Sequence, residues 1–319
     1  MNLVESEALF GRMLDGGMDD TEIAATLIAM ADKGETAEDI AGAALAMRAR
    51  MKRLSAPSNA IDVCGTGGDG QLSLNISTTV ALVVAACGVP VAKHGNRAAS
   101  SKAGTADTLE ALGLDFAHAS ERAELTLAEI GIAFFFAQAH HPALGRIAPI
   151  RKALGRRTIF NLVGPLANPA GVTRQLVGVA SPDLVPLYRD AMELLGTETA
   201  LIVSGEEGLD ELSIAGPSRI AAIGLPEIGI ELLPDDAGLP RHSLEALRGG
   251  DAAFNAAALR RLLMGEAGAY RDAVLLNAAG ALIVAGEVQN WRDGVEEGAE
   301  ALDKGLAKAL LDCWIAMVG

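Results

Sequence analysis

Residues 62–101, DVCGTGGDGQLSLNISTTVALVVAACGVPVAKHGNRAASS, carry the densest chemistry of this 319-residue chain. Gly65-x-Gly67-x-x-Gly70 follows an apolar lead-in and formally fits a dinucleotide fingerprint. That fingerprint needs an acid roughly 20 residues on to bind a ribose. No Asp or Glu stands between Asp69 and Asp107, and the basic stretch AKHGNR takes the acid's place. A Walker A loop is excluded too, because no Gly-Lys-Ser/Thr follows the glycines. What fits is oriented anion binding. The N–H groups from Gly65 to Gly68 are joined by Asn75, Ser77 and Thr78 at a helix start, where the dipole favours an anion. Lys93, His94 and Arg97 add positive charge, and Ser100 and Ser101 add hydroxyls. From the residues alone, a glycine-rich turn before a capped core helix stays open beside it.

Two other clusters are chemically suggestive. EEGLDELS places Asp210 and Glu211 side by side on a loop, a pair that from the residues alone reads first as a solvated acidic turn and second as a site for a hard divalent cation. APIRKALGRR carries Arg151 among Lys152, Arg156 and Arg157, which reads from the residues as a charged helix surface.

The elements that must hold these groups follow a helical, then alternating, pattern. Thr36 caps a helix with Asp39 at its third position, and Ile40, Ala43, Ala44, Met47 and Met51 form its apolar stripe. An earlier stripe carries Ile23, Leu27, Ile28 and Ala31 and ends at Gly34. LSAPSNA, residues 54–60, is a Pro/Ser break suited to a linker or hinge. Beyond it, strands AIDVC, VPVAK, IAFFFA, QLVGVA and ALIVSG alternate with helices over 76–87, 106–112 and 184–195. That alternation predicts an α/β sheet with a parallel portion.

Composition narrows the function classes. Half the residues are apolar and the formal net charge is −15, with only two Trp and two Tyr. Such a balance opposes nucleic acid and anionic membrane as partners. Three cysteines form no metal cluster and no even disulfide set, which fits a reducing, cytoplasmic setting. The N-terminus lacks a basic region before an apolar run, so no secretory leader is expected. The apolar stretch 80–92 is broken by Gly88 and Pro90 and falls short of the roughly 20 residues of a membrane span.

GTGGDG, NIST, KHGNRAASS, GTADTLEALG, HHPALGRIAPIRKALGRRTIFNLVGPLANPA and GLDELS, in this order, resemble the signature blocks of the anthranilate phosphoribosyltransferase family. Weaker similarity extends from the N-terminal helices to RDAVLLNAAGALIVAG, so it covers nearly the whole chain. The resemblance implies transfer of a 5-phosphoribosyl group from phosphoribosyl pyrophosphate (PRPP) to the amine of anthranilate, on the way to tryptophan. It implies Mg²⁺, two ions, and a homodimer joined through a helical domain. Association with a glutamine amidotransferase partner stays open. The fold implied is a small all-α domain hinged to a larger α/β domain with a mixed, partly parallel central sheet. Residues 1–58 and a later helical excursion around 148–172 would form the first, and residues 59–319 the second.

Matched by motif, Gly65, Gly68, Asp69, Ser73, Asn75, Ile76, Ser77, Thr78 and Thr105 would contact PRPP. So would Lys93, His94, Gly95, Asn96, Arg97, Ala98, Ala99, Ser100 and Ser101. Gly65, Asn96, His141 and Arg151 would meet anthranilate, with Arg151 gripping its carboxylate. Ser77, Asp210 and Glu211 would hold the metal. No protein nucleophile or general base is implied. Ser73 and Leu74 stand where Thr and Phe are usual, Thr105 where Ser is common, and Gln138 where Pro is usual. None of these removes a charged ligand, but they put the tunnel geometry in question. A pyrimidine nucleoside phosphorylase of related fold is the enzyme alternative, although its basic-Ser-Gly-Arg base site is not found. A nucleic-acid-binding paralogue is the non-enzymatic one.

Overall fold

The computed structural model describes residues 1–97, 102–226 and 228–319. It opens with three helices, α1 (Leu3–Leu14), α2 (Asp20–Lys33) and α3 (Ala37–Arg48). Each starts in a capping box: Asn2 with Glu5, Asp19 with Glu22, and Thr36 with Asp39. In each box the first side chain accepts from the backbone N–H three residues on, and the acid answers the cap's own N–H. Gly34, at φ 85°, stops α2. The helix α3 ends before Met51, so the predicted stripe runs one turn too far.

The chain then alternates as the sequence indicates. β1 (Ile61–Gly65), α4 (Ile76–Ala86), β2 (Val91–Gly95), α5 (Thr105–Ala111), α6 (Phe116–Glu121), α7 (Ala123–Ile130) and β3 (Ile132–Phe136) come first. After α8 (Ala137–His140), α9 (Leu144–Leu154) and α10 (Phe160–Val163), the sheet resumes with β4 (Arg174–Gly178), α11 (Leu184–Leu194) and β5 (Thr199–Gly205). β6 (Ser218–Ile223), β7 (Glu231–Leu232), α12 (Ala252–Leu263), α13 (Ala269–Ala285), α14 (Trp291–Asp303) and α15 (Leu306–Val318) complete it. The seven strands lie in the order β3-β2-β1-β4-β5-β6-β7. The first five are parallel, and β6 runs antiparallel to both β5 and β7.

Strand periodicity sorts the core into layers. Ile61, Val63, Leu176, Leu201 and Val203 face α4, α12, α13 and α15. Val177, Ala200 and Ile202, one residue out of phase, face α11 and the N-terminal helices. Ile147 and Ile150 of α9 and Phe160 and Val163 of α10 join that second core, so the 144–167 segment packs with α1–α3. Tyr188 of α11, fully buried, donates its hydroxyl to Leu162 O at 2.8 Å and stitches the two bodies together.

The linker after α3 is tied down at three points. Lys52 N–H donates to His140 O at 2.8 Å, Leu54 N–H to Pro169 O at 3.2 Å, and Ser55 N–H to Glu124 Oε1 at 2.6 Å.

The helices α1 and α3 touch backbone to backbone at Gly42, where an added Cβ would lie 2.7 Å from Glu7 N and 2.5 Å from Ser6 Cβ. Gly42→Ala should therefore destabilise the fold by about 1–3 kcal/mol, the usual cost of overpacking. A urea-unfolding midpoint unchanged from the parent chain would show that α1 can slide away at no cost.

Candidate active site

The strand order reverses between β1 and β4, with β2 and β3 on one side and β5 on the other. In open α/β sheets, ligands bind at such a switch point, beyond the carboxyl ends of the strands. Gly65 ends β1 and Gly178 ends β4. The loop leaving β5 folds back across both. A Cβ on Gly65 would overlap Asp210 Oδ2, and one on Gly178 would overlap the Asp210 carbonyl oxygen. Asp210 is thus seated on bare backbone. Its carboxylate accepts from Gly67 N–H at 2.7 Å, and Thr66 N–H donates to Gly178 O at 2.9 Å.

The glycine loop itself is exposed at Gly67, Gly68 and Gly70, all in left-handed conformation with φ of 69°, 79° and 71°. Leu72, at φ 53°, is the one non-glycine residue among those described with positive φ. A side chain in this region costs about 1–2 kcal/mol, so neighbours must hold it. Gly249 N–H donates to Leu72 O at 2.7 Å, Leu74 N–H to Leu247 O at 2.8 Å, and Gln71 Nε2 to Glu207 O at 2.7 Å.

Three carboxyl groups converge beneath the loop. Burial, and then the Asp69 carboxylate beside it, raises the pKa of Asp210. Burial and then Asp210 raise that of Glu211, against the pull of Lys93. Asp69 Oδ2 is buried without a hydrogen-bond partner. Glu211 Oε1 accepts from Ser77 N–H at 3.1 Å, and buried Lys93 donates to Ser77 Oγ at 3.2 Å and to Val63 O at 2.6 Å. No set of three or more His, Cys, Asp or Glu among the described residues encloses a metal by itself. Crowded, under-neutralised oxygens of this kind fit Mg²⁺, which takes its remaining ligands from water and substrate phosphate.

The other expected phosphate contacts are placed unequally. Ile76 lies in the core, and its N–H donates to Leu74 O at 2.7 Å. The Asn75 side chain serves a structural junction: Oδ1 accepts from Thr108 Oγ1 at 2.6 Å and from Asn255 Nδ2 at 2.8 Å. Thr78 and Thr105 hydroxyls meet at 3.2 Å between α4 and α5. Gly95 gives room to the Phe134 ring, 2.8 Å from where its Cβ would be. Asn96 is exposed, its Oδ1 accepting from Arg97 N–H at 2.8 Å. The Arg97 guanidinium pairs with Asp107 at 2.9 Å and Glu110 at 2.7 Å and lies over the Phe116 ring. Both acids belong to the adjacent α5. Ala98, Ala99, Ser100 and Ser101 lie outside the described residues.

On the helical side Arg151 is half-buried, and burial lowers its pKa. It stacks over Phe160 at 5.8 Å and reaches Asn161 Oδ1 at 3.4 Å, with no carboxylate partner among the described residues. Neighbouring arginines are paired: Arg146 of α9 with Asp20 at 3.7 Å and, just past the end of that helix, Arg156 with Asp32 at 2.6 Å and Arg157 with Glu35 at 3.8 Å. His94 and His141 meet edge to face at 5.3 Å. Burial pushes them down to about 3 and about 4, so both are neutral at pH 7, each with Nε2 unpartnered. Leu74 is buried, and Gln138 is exposed on α8.

The sequence reading passes over the supports. Asp62 is fully buried and accepts from His94 N–H at 3.0 Å and Asn168 Nδ2 at 2.8 Å. Asn277 of α13 bonds both N–H and carbonyl of Leu212, at 2.8 and 3.0 Å, anchoring the acid loop. Lone polar residues inside apolar runs, such as Asp62 in AIDVC and Asn277 in VLLNAAG, are the signal that marks them.

Fold and site together define a glycosyl transferase built from a helical bundle and an α/β unit. Models of that family match as its helical bundle domain over residues 3–51 and its a/b domain over residues 57–308. The anthranilate phosphoribosyltransferase of Novosphingobium aromaticivorans is 65% identical over 98% of this chain and 95% of its own. The crystal structure of the Thermus thermophilus enzyme of that name matches with a TM-score of 0.94 at 42% identity, covering 100% of this chain and 96% of that one. The enzyme from Saccharomyces cerevisiae in complex with PRPP and Mg matches at 0.87 and 28% identity, covering 99% and 92%. The chain belongs to the anthranilate phosphoribosyltransferase family.

Because Asp210 occupies the space over Gly65, Gly65→Ala should displace it while leaving the β1 core intact. A misplacement of this size costs about 100-fold in turnover. Steady-state rates beside a thermal melt check it; an unaltered rate would mean Asp210 has no fixed role.

Proposed function

We propose that this chain transfers the 5-phosphoribosyl group of PRPP to the amine of anthranilate, releasing pyrophosphate, in tryptophan biosynthesis. The relatives' shared name supports the reaction, and the geometry supports the assignment of roles. PRPP would lie over the glycine loop at the switch point, with its pyrophosphate toward Asp69, Asp210 and Glu211. As the bond from C1 to pyrophosphate breaks, positive charge grows on the ribose and negative charge on the leaving group. The loop N–H groups not already taken by Gly178 O and the Asp210 carboxylate favour that leaving anion. Ser77, Asp210 and Glu211 would hold Mg²⁺, taken as two ions, which would supply charge to neutralise the departing pyrophosphate. The yeast relative solved with PRPP and Mg supports this cofactor. The buried, neutral His94 and His141 give the acceptor an uncharged wall, and no side chain need act as nucleophile.

The observation that carries the anthranilate reading is Arg151, half-buried and without a carboxylate of its own among the described residues. A guanidinium grips a carboxylate through two parallel hydrogen bonds. The yeast relative in complex with 4-fluoroanthranilate supports a benzoate-type acceptor. The nucleoside phosphorylase and nucleic-acid readings have no comparable support. We also place residues 1–58 with the 148–172 excursion in one functional domain and residues 59–319 in the other, in a cytoplasmic homodimer. No helix among the described residues is long and apolar enough to cross a membrane.

Loss of anthranilate fluorescence in the presence of PRPP and Mg²⁺ tests the reaction, and omission of either should abolish it. In that assay Arg151→Ala should weaken anthranilate by about 1.5–3 kcal/mol, or roughly ten- to a hundred-fold, with little change for PRPP. Arg151→Lys should recover little, and Arg156→Ala should be nearly silent. Equal losses for both substrates would make Arg151 a domain brace. Val4 on α1 and Met1 just before it are exposed and leave apolar surface for a second chain. Sedimentation at micromolar concentration should give two chains per particle; a clean monomer removes that claim.

A further inference from the structure

The site as described is short of usable positive charge for a polyanion. Lys93 is buried and engaged by Val63 O and Ser77 Oγ. Arg97 is held by Asp107 and Glu110. Three carboxyl groups crowd the cation side. A further cation is fixed to the loop by backbone geometry. Residues 72–74 pair antiparallel with 247–249: Gly249 N–H donates to Leu72 O, Leu74 N–H donates to Leu247 O, and Ser73 bridges Arg248. Those two bonds flank the Ser73–Arg248 pair, which makes it the non-hydrogen-bonded kind, with Cβ atoms about 4.5–5.5 Å apart on one face. Leu74 and Leu247 are buried on the opposite face. The register is rigid, because a Cβ on Gly249 would lie 2.6 Å from Ser73 O. Arg248 therefore projects beside Ser73, away from the core.

We propose that Arg248 is an additional substrate-binding residue, gripping a phosphate oxygen of PRPP at the Ser73 side of the glycine loop. This rests on the PRPP reading above. The present partner of Arg248 is Glu245, at 3.1 Å, and the two side chains are 56% and 73% exposed. Such a pair is worth little, so a phosphate displaces the glutamate readily. Glu245 then acts as a competitor for the arginine, and the two residues have opposite effects on the substrate.

Steady-state kinetics with titration calorimetry of PRPP test this. Arg248→Gln should raise both KM and Kd for PRPP roughly ten-fold, the worth of one charge-assisted hydrogen bond, and leave the anthranilate KM alone. Glu245→Gln should lower the PRPP values by about two-fold. Added salt should weaken PRPP less in Arg248→Gln than in the parent. Unchanged PRPP values in Arg248→Gln overturn the proposal. So does a rise in both variants, which would make the pair a brace for the 245–249 turn. A parent chain that turns over PRPP with a silent Arg248→Gln sinks this inference alone, whereas a parent chain that binds no PRPP sinks the underlying reading as well.

Discussion

At the ends of β1 and β4 the backbone is bare at Gly65 and Gly178, and Asp210 packs into the space their Cβ atoms would fill. That close approach sets a carboxylate within hydrogen-bond reach of Gly67 and brings Glu211 onto the first turn of α4. Everything else in the acid loop serves to keep it there. Asn277 holds Leu212 at both backbone groups, and the Ser213 hydroxyl bonds the Glu207 carboxylate. Gln71 then joins the Glu207 carbonyl to the glycine loop. Three neighbouring acids are thus held by packing and hydrogen bonds from the surrounding core.

The charge logic is unusual only at first sight. An acidic chain binding a polyanion needs its negative groups to meet the substrate through a cation, while donors and a few arginines meet the oxygens directly. The two arginines of the binding reading sit in opposite states. Arg151 is half-buried and lacks an acid among the described residues, meeting the Phe160 ring and Asn161 Oδ1 instead, so a carboxylate would offset its desolvation further. Arg97 is already satisfied by two acids and stacked on aromatic rings, which suits holding the start of its loop. A motif match cannot tell these apart, because both are arginines at motif positions.

Much of this was legible beforehand. The five parallel strands, α4, α5 and α11 fall within a residue or two of the expected runs, since apolar strands and capped helices declare themselves locally. The antiparallel pair β6 and β7 did not, because SRIAAI and a two-residue strand carry no distinctive period. Among site residues, the glycines and the Asp210–Glu211 pair stood out by composition. The partners of Asn75 were not legible: a helix-start asparagine reads as a cap or anion donor, while α5 and α12 arrive from distant sequence to bond its side chain. The arginine-to-acid pairings around Arg151 also depend on α2, more than a hundred residues away, and no local pattern announces them.

The core that α11 shares with the N-terminal helices has a consequence for how the molecule can be taken apart. Val177, Val179, Tyr188 and Ile202 on the sheet side interlock with Phe160, Val163 and Met47 on the helical side. Cutting the chain in the 54–60 linker would keep Phe160 and Val163 on the larger fragment but bare the part of this core that α1–α3 cover, and leave the α1–α3 face bare on the other. Patches of that extent do not persist on isolated domains. The two family-level units are therefore separable as stretches of sequence but not at the bench, where the larger half would aggregate unless the smaller were supplied in trans.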